Sequence, residues 1–210
     1  MAGLIASDKG GKGFDPVAEG VHNAVCYMVF DLGTHLDPTF GKRTHSALIG
    51  WEIPGERIEI EKNGVKQNLP RAISKKYTLS LNEKANLRKD LQTWRGRVFT
   101  DQELTGFDIK NLLGKSCMIQ VIHKKSGEKI YANIAAIMPL MKGIPPMAPE
   151  NPLRFYSIQD NRDVLPPDTP QWIIDVIKVS DEWQMFKPLE ESHPSGEDVP
   201  LDLGDDAPPF

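Results

Sequence analysis

Cysteine is scarce in this chain, and so are long apolar runs. Only Cys26 and Cys117 occur in 210 residues, each inside an apolar stretch, with no Cys-x-x-Cys and no His/Cys cluster. These spacings exclude a disulfide scaffold and a structural zinc site, so we expect two reduced core cysteines. No apolar run approaches the roughly 20 residues that cross a bilayer, and Met1 to Gly20 lacks the apolar segment of a signal peptide. We therefore expect a cytoplasmic protein with no membrane partner.

Motifs that carry catalysis are also lacking. The segment Gly114-Lys115-Ser116 resembles the end of a phosphate-binding loop, but Ile109 stands where the earlier glycine is required. No Gly-x-Ser-x-Gly elbow is present, and the acidic residues of positions 1–187 are scattered. We therefore expect no enzymatic activity, no cofactor and no bound metal, and a metal-dependent nuclease is only a third hypothesis. The histidines show no helical i, i+4 pairing: His22, His35, His45, His123 and His193.

Charge is strongly segregated along the chain. Residues 188–210 contain seven acidic residues and no Lys or Arg, whereas residues 41–129 contain 18 Lys+Arg against 10 Asp+Glu. A basic middle indicates an anionic partner such as nucleic acid. The acidic, Pro-containing end is too polar to form a core, which predicts a disordered interaction tail. We accordingly divide the chain into a body, 1–187, and a tail, 188–210.

Alternating apolar residues predict a mainly β body. The predicted strands span His22 to Leu32, Thr44 to Ile53, Arg71 to Leu81, Ser116 to His123 and Lys129 to Ile137. An extra hairpin is predicted before the third strand, because Arg57 to Glu61 alternates and Asn63-Gly64 is a strong turn signal.

Two segments have helical spacing. Ser80 to Glu83 matches a capping box, and Leu87, Leu91 and Trp94 then form an apolar stripe that ends before Gly96. Residues 139–170 contain eight prolines, which predicts a long connection over the surface or partial disorder. A C-terminal helix is predicted after Thr169-Pro170, with its apolar stripe beginning at Trp172 and Ile173.

Five strands with a helix between the third and fourth follow the order of the OB-fold, a partly open barrel that binds oligonucleotides. Sequence-independent binding of single strands needs cations for the phosphates and flat rings on which bases stack. Both kinds of residue lie on or beside the predicted strands. The rings have two possible roles, because each of them can also belong to the core. The candidate DNA-binding residues are Phe40, Lys42, Arg43, Trp51, Arg71, Lys75, Lys76, Tyr77, Lys124, Lys125 and Tyr131.

The chain ends in Asp205-Asp206-Ala207-Pro208-Pro209-Phe210. Acidic residues before a final Pro-Phe suit a partner pocket with an apolar hole and a basic rim, and the stiff Pro-Pro pair lowers the entropy lost on docking. This end resembles that of the bacterial and phage single-stranded DNA-binding proteins, whose tails end in Asp-Asp-Asp-Ile-Pro-Phe. Asp205, Asp206, Pro209 and Phe210 match that pattern, whereas Ala207 and Pro208 depart from it.

The resemblance implies that the tail recruits replication, recombination and repair proteins. In the body, Ser74 to Trp94 and Phe107 to Lys115 are similar to a group of phage-encoded proteins regarded as divergent OB-fold single-strand binders. The leading hypothesis is therefore a single-stranded DNA-binding protein, with a homo-oligomer left open. The alternative is a phage adaptor whose body binds protein and whose tail mimics the recruiting peptide of the host.

Overall fold

The computed structural model of the chain describes residues 15–62, 64–161 and 164–186. None of the helices in these ranges is long and apolar enough to span a membrane. The strands are β1 (Gly20–Leu36), β2 (Arg43–Lys62), β3 (Val65–Thr78), β4 (Ser116–Ser126), β5 (Lys129–Met138) and the short β6 (Arg154–Tyr156). The helices are α1 (Asn86–Arg95), α2 (Asp101–Thr105), α3 (Ile158–Asn161), α4 (Gln171–Lys178) and α5 (Asp181–Phe186).

Five antiparallel strands form one curled sheet in the order β3-β2-β1-β4-β5. Register irregularities interrupt β1 between Asp31 and Gly33 and β2 between Ile53 and Arg57, and such bulges bend a strand and increase its twist. The curled sheet brings its edge strands, β3 and β5, to opposite sides of one cleft. The mainly β prediction is confirmed, and so is the order of strands with helices between the third and fourth.

The predicted extra hairpin is part of a longer one. Strand β2 continues past its irregularity to Lys62, and β3 already begins at Val65, which pairs with Lys62. Strands β2 and β3 are therefore the two arms of one hairpin, and Gly64, just before β3, has the positive φ of 76° that tight hairpin turns require. The expectation of a separate hairpin before the third strand is corrected to an extended arm of the β2–β3 hairpin.

The inner core lies between the sheet and α1. Leu87, Leu91 and Trp94 are buried as their spacing predicts, and the Trp94 ring packs at 5.8 Å from the ring of Trp51. Both cysteines are free and buried, as expected. Burial raises the pKa of the Cys26 thiol to about 12, which keeps it protonated and unreactive.

The start of α1 differs from the prediction. The Ser80 hydroxyl accepts a hydrogen bond from the backbone N–H of Asn82, and the Asn82 side chain accepts one from Lys84, two residues onward in each case. These local bonds form tight turns in place of a helical cap. The helix begins at Asn86 after Ala85, which makes no side-chain cap.

A second core covers the outer face of β1. Phe30 packs against Tyr156 at a ring distance of 6.0 Å, and Ile173 and Ile177 of α4 are fully buried in the same cluster. Strand β6 pairs in parallel with β1, so the Pro-rich segment supplies regular structure that its composition did not predict. The C-terminal helix is confirmed, with Pro170 rather than Thr169 as its N-cap.

Helix α5 is attached to β1 and β2 by a polar cluster. Thr34 donates to the Glu182 carboxylate through its backbone N–H at 2.7 Å and its hydroxyl at 2.6 Å. His45 lies 2.7 Å from Asp31 and 3.5 Å from Glu182. The hydrogen bond with Asp31 raises the pKa of His45, so the imidazolium form is favoured beside two carboxylates.

Candidate nucleic-acid interface

The outward face of β3 is a polar strip. Alternate residues of a strand share one face, and Ala72, Ser74, Lys76 and Thr78 are all exposed. Their neighbours Ile73 and Tyr77 point into the core. Because a strand rises about 3.3 Å per residue, the strip is about 20 Å long. Its small and cationic side chains leave room for an extended polymer along β3.

The β1–β2 loop stands at one end of the strip. The Asp37 carboxylate accepts hydrogen bonds from the backbone N–H groups of Thr39 and Phe40, and Gly41 closes the turn with a φ of 62°. This closed loop leaves the Phe40 ring 74% exposed. A hollow of about 510 Å³ between the loop and β3 is lined by His35, Thr39, Thr44, Lys76 and Thr78, among others.

The β4–β5 hairpin stands at the other end. Lys124 lies opposite Tyr131 and Lys125 opposite Ile130, on either side of the turn at Ser126–Lys129. The Tyr131 side chain is 51% exposed. A cleft of about 570 Å³ between β3 and β5 is lined by Arg71, Ser74, Ile130 and Tyr131, among others.

Strip, loop and hairpin form one surface, because Ser74 lines the cleft at one end and Lys76, two residues on along the same face, lines the hollow at the other. We call this surface the β3 face. Of the predicted residues, Arg71, Lys76 and Tyr131 line its cleft or its hollow, and Phe40, Lys42, Lys124 and Lys125 lie on the loop and the hairpin at its two ends. Its cations make no ion pair with any residue in the described ranges, and Arg71 donates to the carbonyl oxygens of Asp15 and Arg57 instead. A surface with unpaired cations and a free ring at each end has the chemistry that phosphates and bases need.

Two predicted rings do not belong to the β3 face. Trp51 is 0% exposed and Tyr77 is 3% exposed, because both lie on inward-facing positions of their strands. A base needs an open ring face for stacking, so these two assignments are corrected to core residues. The Tyr77 hydroxyl donates to Asp90 at 2.7 Å, and burial together with that carboxylate raises the pKa of Tyr77.

Two predicted cations are already paired within the body. Lys75 points inward and binds Asp90 of α1 at 2.7 Å, with a further contact to the carbonyl oxygen of Ile134. Arg43 binds Asp181 of α5. Lys75 connects β3 to α1, so a phosphate would have to displace a carboxylate to reach its charge, and we remove Lys75 from the candidate interface. The Arg43 ion pair lies at the surface, where a single ion pair is weak, so the assignment of Arg43 stays a prediction.

One cation was missed by the sequence analysis. Lys129 is exposed and flanks the same turn as Lys125. The Ser126-Gly127 turn signal predicted the hairpin that places these residues together, so proximity to that turn was a usable signal.

The described residues hold no group of three or more His, Cys, Asp or Glu side chains that could bind a metal ion. The predicted partner-binding residues Asp205, Asp206, Pro209 and Phe210 lie outside the described residues. No protein-family model, curated protein or solved structure matches this chain.

Proposed function

We propose that this chain is a non-enzymatic single-stranded DNA-binding protein. In this proposal the body is an OB-fold that holds the strand on the β3 face, and the acidic tail recruits replication, recombination and repair proteins. The observation that carries the proposal is the β3 face itself: unpaired cations line a strip with an exposed ring at each end.

The topology supports the OB-fold assignment. The strand order β3-β2-β1-β4-β5, the helices between β3 and β4, and the shared cleft between β3 and β5 are those of a five-stranded, partly open barrel. In such barrels oligonucleotides bind the face of strands 2 and 3 and the loops that join strands 1–2 and 4–5. The β3 face takes in the outward side of β3 and both of these loops, whereas residues 150–177 cover the outward side of β2.

The first experiment is a titration of fluorescently labelled oligo-dT, read by anisotropy at two salt concentrations, with a duplex of equal length as control. Each phosphate contact with a single strand contributes a slope of about 0.7 in log affinity against log salt. The β3 face has six unpaired cations, so we expect a slope of at most about 4. These cations are Lys42, Arg71, Lys76, Lys124, Lys125 and Lys129.

Charge variants test the location. Replacing Lys76, Lys124 and Lys125 with Gln should lower the slope by about 2, because three contacts are removed. The matched control replaces three exposed lysines away from the β3 face, Lys84, Lys89 and Lys178, and changes net charge equally. Equal losses in both triple variants would mean that overall charge, rather than this surface, governs binding.

Ring variants test stacking. Tyr131→Leu and Phe40→Leu should each weaken binding by about 1–3 kcal/mol, the usual effect of losing one base–ring stack. Trp172→Leu is the control, since Trp172 is 52% exposed but lies on α4. If no single-strand binding appears at low salt, the proposal is wrong and the phage adaptor hypothesis becomes the leading one.

The tail is tested by deletion of Leu201 to Phe210. We expect DNA affinity to be unchanged or higher, while capture of partner proteins is lost. A large loss of DNA affinity would contradict the division of roles between body and tail.

A further inference from the structure

A third cavity, of about 600 Å³, lies at the far end of the β4–β5 pair from the β3 face. Its apolar lining includes Trp94, Phe107, Leu112 and Leu140. Lining residues Gly114–Ser116 adjoin the first residue of β4, whereas the Ser126–Lys129 turn lies at the other end of this strand. The two ends of β4 are ten residue steps apart, a distance of about 33 Å. We call this cavity the α1 pocket.

The α1 pocket also has cationic lining residues. Arg95, Arg97 and Lys115 line it together with one carboxylate, that of Glu103. Glu103 binds Arg97 at 2.8 Å and also binds Arg95. Hydrogen bonds from Arg97 and the backbone of Thr100 lower the pKa of Glu103 to about 2, so it stays ionised and the lining keeps an excess of two positive charges.

Part of this positive charge has no hydrogen-bond acceptor or carboxylate partner among the described residues. The Nη1 atom of Arg95 is buried and has no hydrogen-bond acceptor there, while the guanidinium group stacks 4.5 Å from the Phe99 ring centre. Lys115 is exposed and makes no ion pair with a described residue. Lys115 is therefore an accessible charge at the α1 pocket that the carboxylate of a ligand can pair with.

We propose that the α1 pocket binds the C-terminal segment of the same chain, with the Phe210 ring in the apolar hole and Asp205 and Asp206 against Arg97 and Lys115. The segment 188–210 has seven acidic residues and no basic one, which complements the pocket. The 18 residues between Phe186 and Asp205 make 19 Cα–Cα steps, which can extend over about 65 Å. A body of this size has a radius of gyration of about 16 Å, so the segment can reach the pocket.

The contact itself does not require DNA binding, but its consequence rests on the proposed recruiting role of the tail. Tethering places the segment at an effective concentration of about 1 mM, so even a weak contact is populated. While Phe210 is in the α1 pocket, partner proteins cannot bind it, and the β3 face stays open to DNA. The chain thereby masks its own recruiting segment.

The test is a paramagnetic label on the full-length chain. Leu203→Cys introduces one accessible thiol, because Cys26 and Cys117 are buried and unreactive, and a nitroxide is attached to it. The measurement is broadening of backbone amide signals by NMR. We expect strong broadening at Arg97, Gly114 and Lys115, and none at Ser74 or Lys125 on the β3 face.

Three variants show whether the contact is specific. Phe210→Ala should abolish the broadening, and Lys115→Glu should do the same without affecting the fold, because Lys115 is exposed. Lys84→Glu is the matched control and should leave the broadening intact. Reversing one charge on each side, with Asp206→Lys added to Lys115→Glu, should restore part of the broadening, which a purely structural effect of Lys115 would not do.

Three results would overturn the proposal. Broadening that persists unchanged in Phe210→Ala would exclude the pocket contact. Broadening at Ser74 and Lys125 instead would place the segment on the β3 face. Broadening that appears only when spin-labelled and isotope-labelled molecules are mixed would make a second copy the occupant.

Discussion

Gly33 is the position where one methyl group should separate α5 from the sheet. Its φ of 76° is left-handed, a conformation that costs an alanine about 1–2 kcal/mol. An added Cβ would lie 2.4 Å from the Cβ of Ser180 and 2.8 Å from the Glu182 carboxylate. Neither distance is tolerable, so Gly33→Ala must displace the start of α5.

The size of the effect follows from the bonds that this displacement breaks. Glu182 accepts two hydrogen bonds from Thr34, and a hydrogen bond to a charged group contributes about 1.5–3 kcal/mol. Loss of at least one bond, added to the backbone strain, gives an expected destabilisation of about 3–5 kcal/mol. Gly41→Ala is the matched control, because Gly41 has a φ of 62° and open space around its Cβ position. It should lose about 1–2 kcal/mol from strain alone.

The assay is urea unfolding of both variants beside the parent protein, combined with hydrogen exchange of residues 180–186. Gly33→Ala should lose more stability than Gly41→Ala and should exchange faster in α5. Equal losses of stability in the two variants, with α5 protected in both, would mean that the close contact between β1 and α5 does not restrict the fold.

Three further predictions follow from the buried and titratable groups. Tyr77→Phe should lower the free energy of unfolding by about 1.5–3 kcal/mol in urea denaturation, because the hydrogen bond to Asp90 is lost. The affinity for oligo-dT should stay unchanged, and a reduced affinity in a folded variant would place Tyr77 in the interface. Asp31 favours the charged form of His45, and the resulting stabilisation is fully present below the unfolded pKa of about 6.5. Stability should therefore fall as pH rises through the raised folded pKa of His45. His45→Gln should remove this dependence in melting curves between pH 6 and 8, and an unchanged curve would exclude His45 as its source. Maleimide should not label Cys26 in the folded protein at pH 8 and should label it in urea, as mass spectrometry can show; fast labelling of the folded protein would contradict its burial.

The sheet and α1 were predictable because their signals are local. Alternation and the Ser126-Gly127 turn placed the strands, and the i, i+4, i+7 stripe of Leu87, Leu91 and Trp94 placed the helix. The start of α1 was not predictable in the same way, since Ser80 and Asn82 prefer local turns to a helical cap.

Which face of β2 looks inward is not encoded by alternation alone. Trp51 lies on the inner face, yet the outward-facing Leu48 and Glu52 are buried too, because residues 150–177 cover that side. Glu52 is satisfied there by the backbone N–H groups of Glu150 and Asn151 at 2.6 and 2.9 Å. These partners lie about a hundred positions away in the sequence, so no local pattern predicts them. The inward position of Lys75 has the same cause, because its partner Asp90 lies 15 positions away on α1 and no local pattern pairs the two residues.

The outer core has a consequence for how this chain can be divided. Strand β5 ends at Met138, but Phe30 on β1 depends on Tyr156 and Ile173 for its cover. A chain that stops after β5 would leave this apolar face open to water and prone to aggregate. A single protease cut at Lys142, by contrast, leaves each fragment holding half of the outer core. The two fragments should therefore stay together and elute as one particle in size-exclusion chromatography.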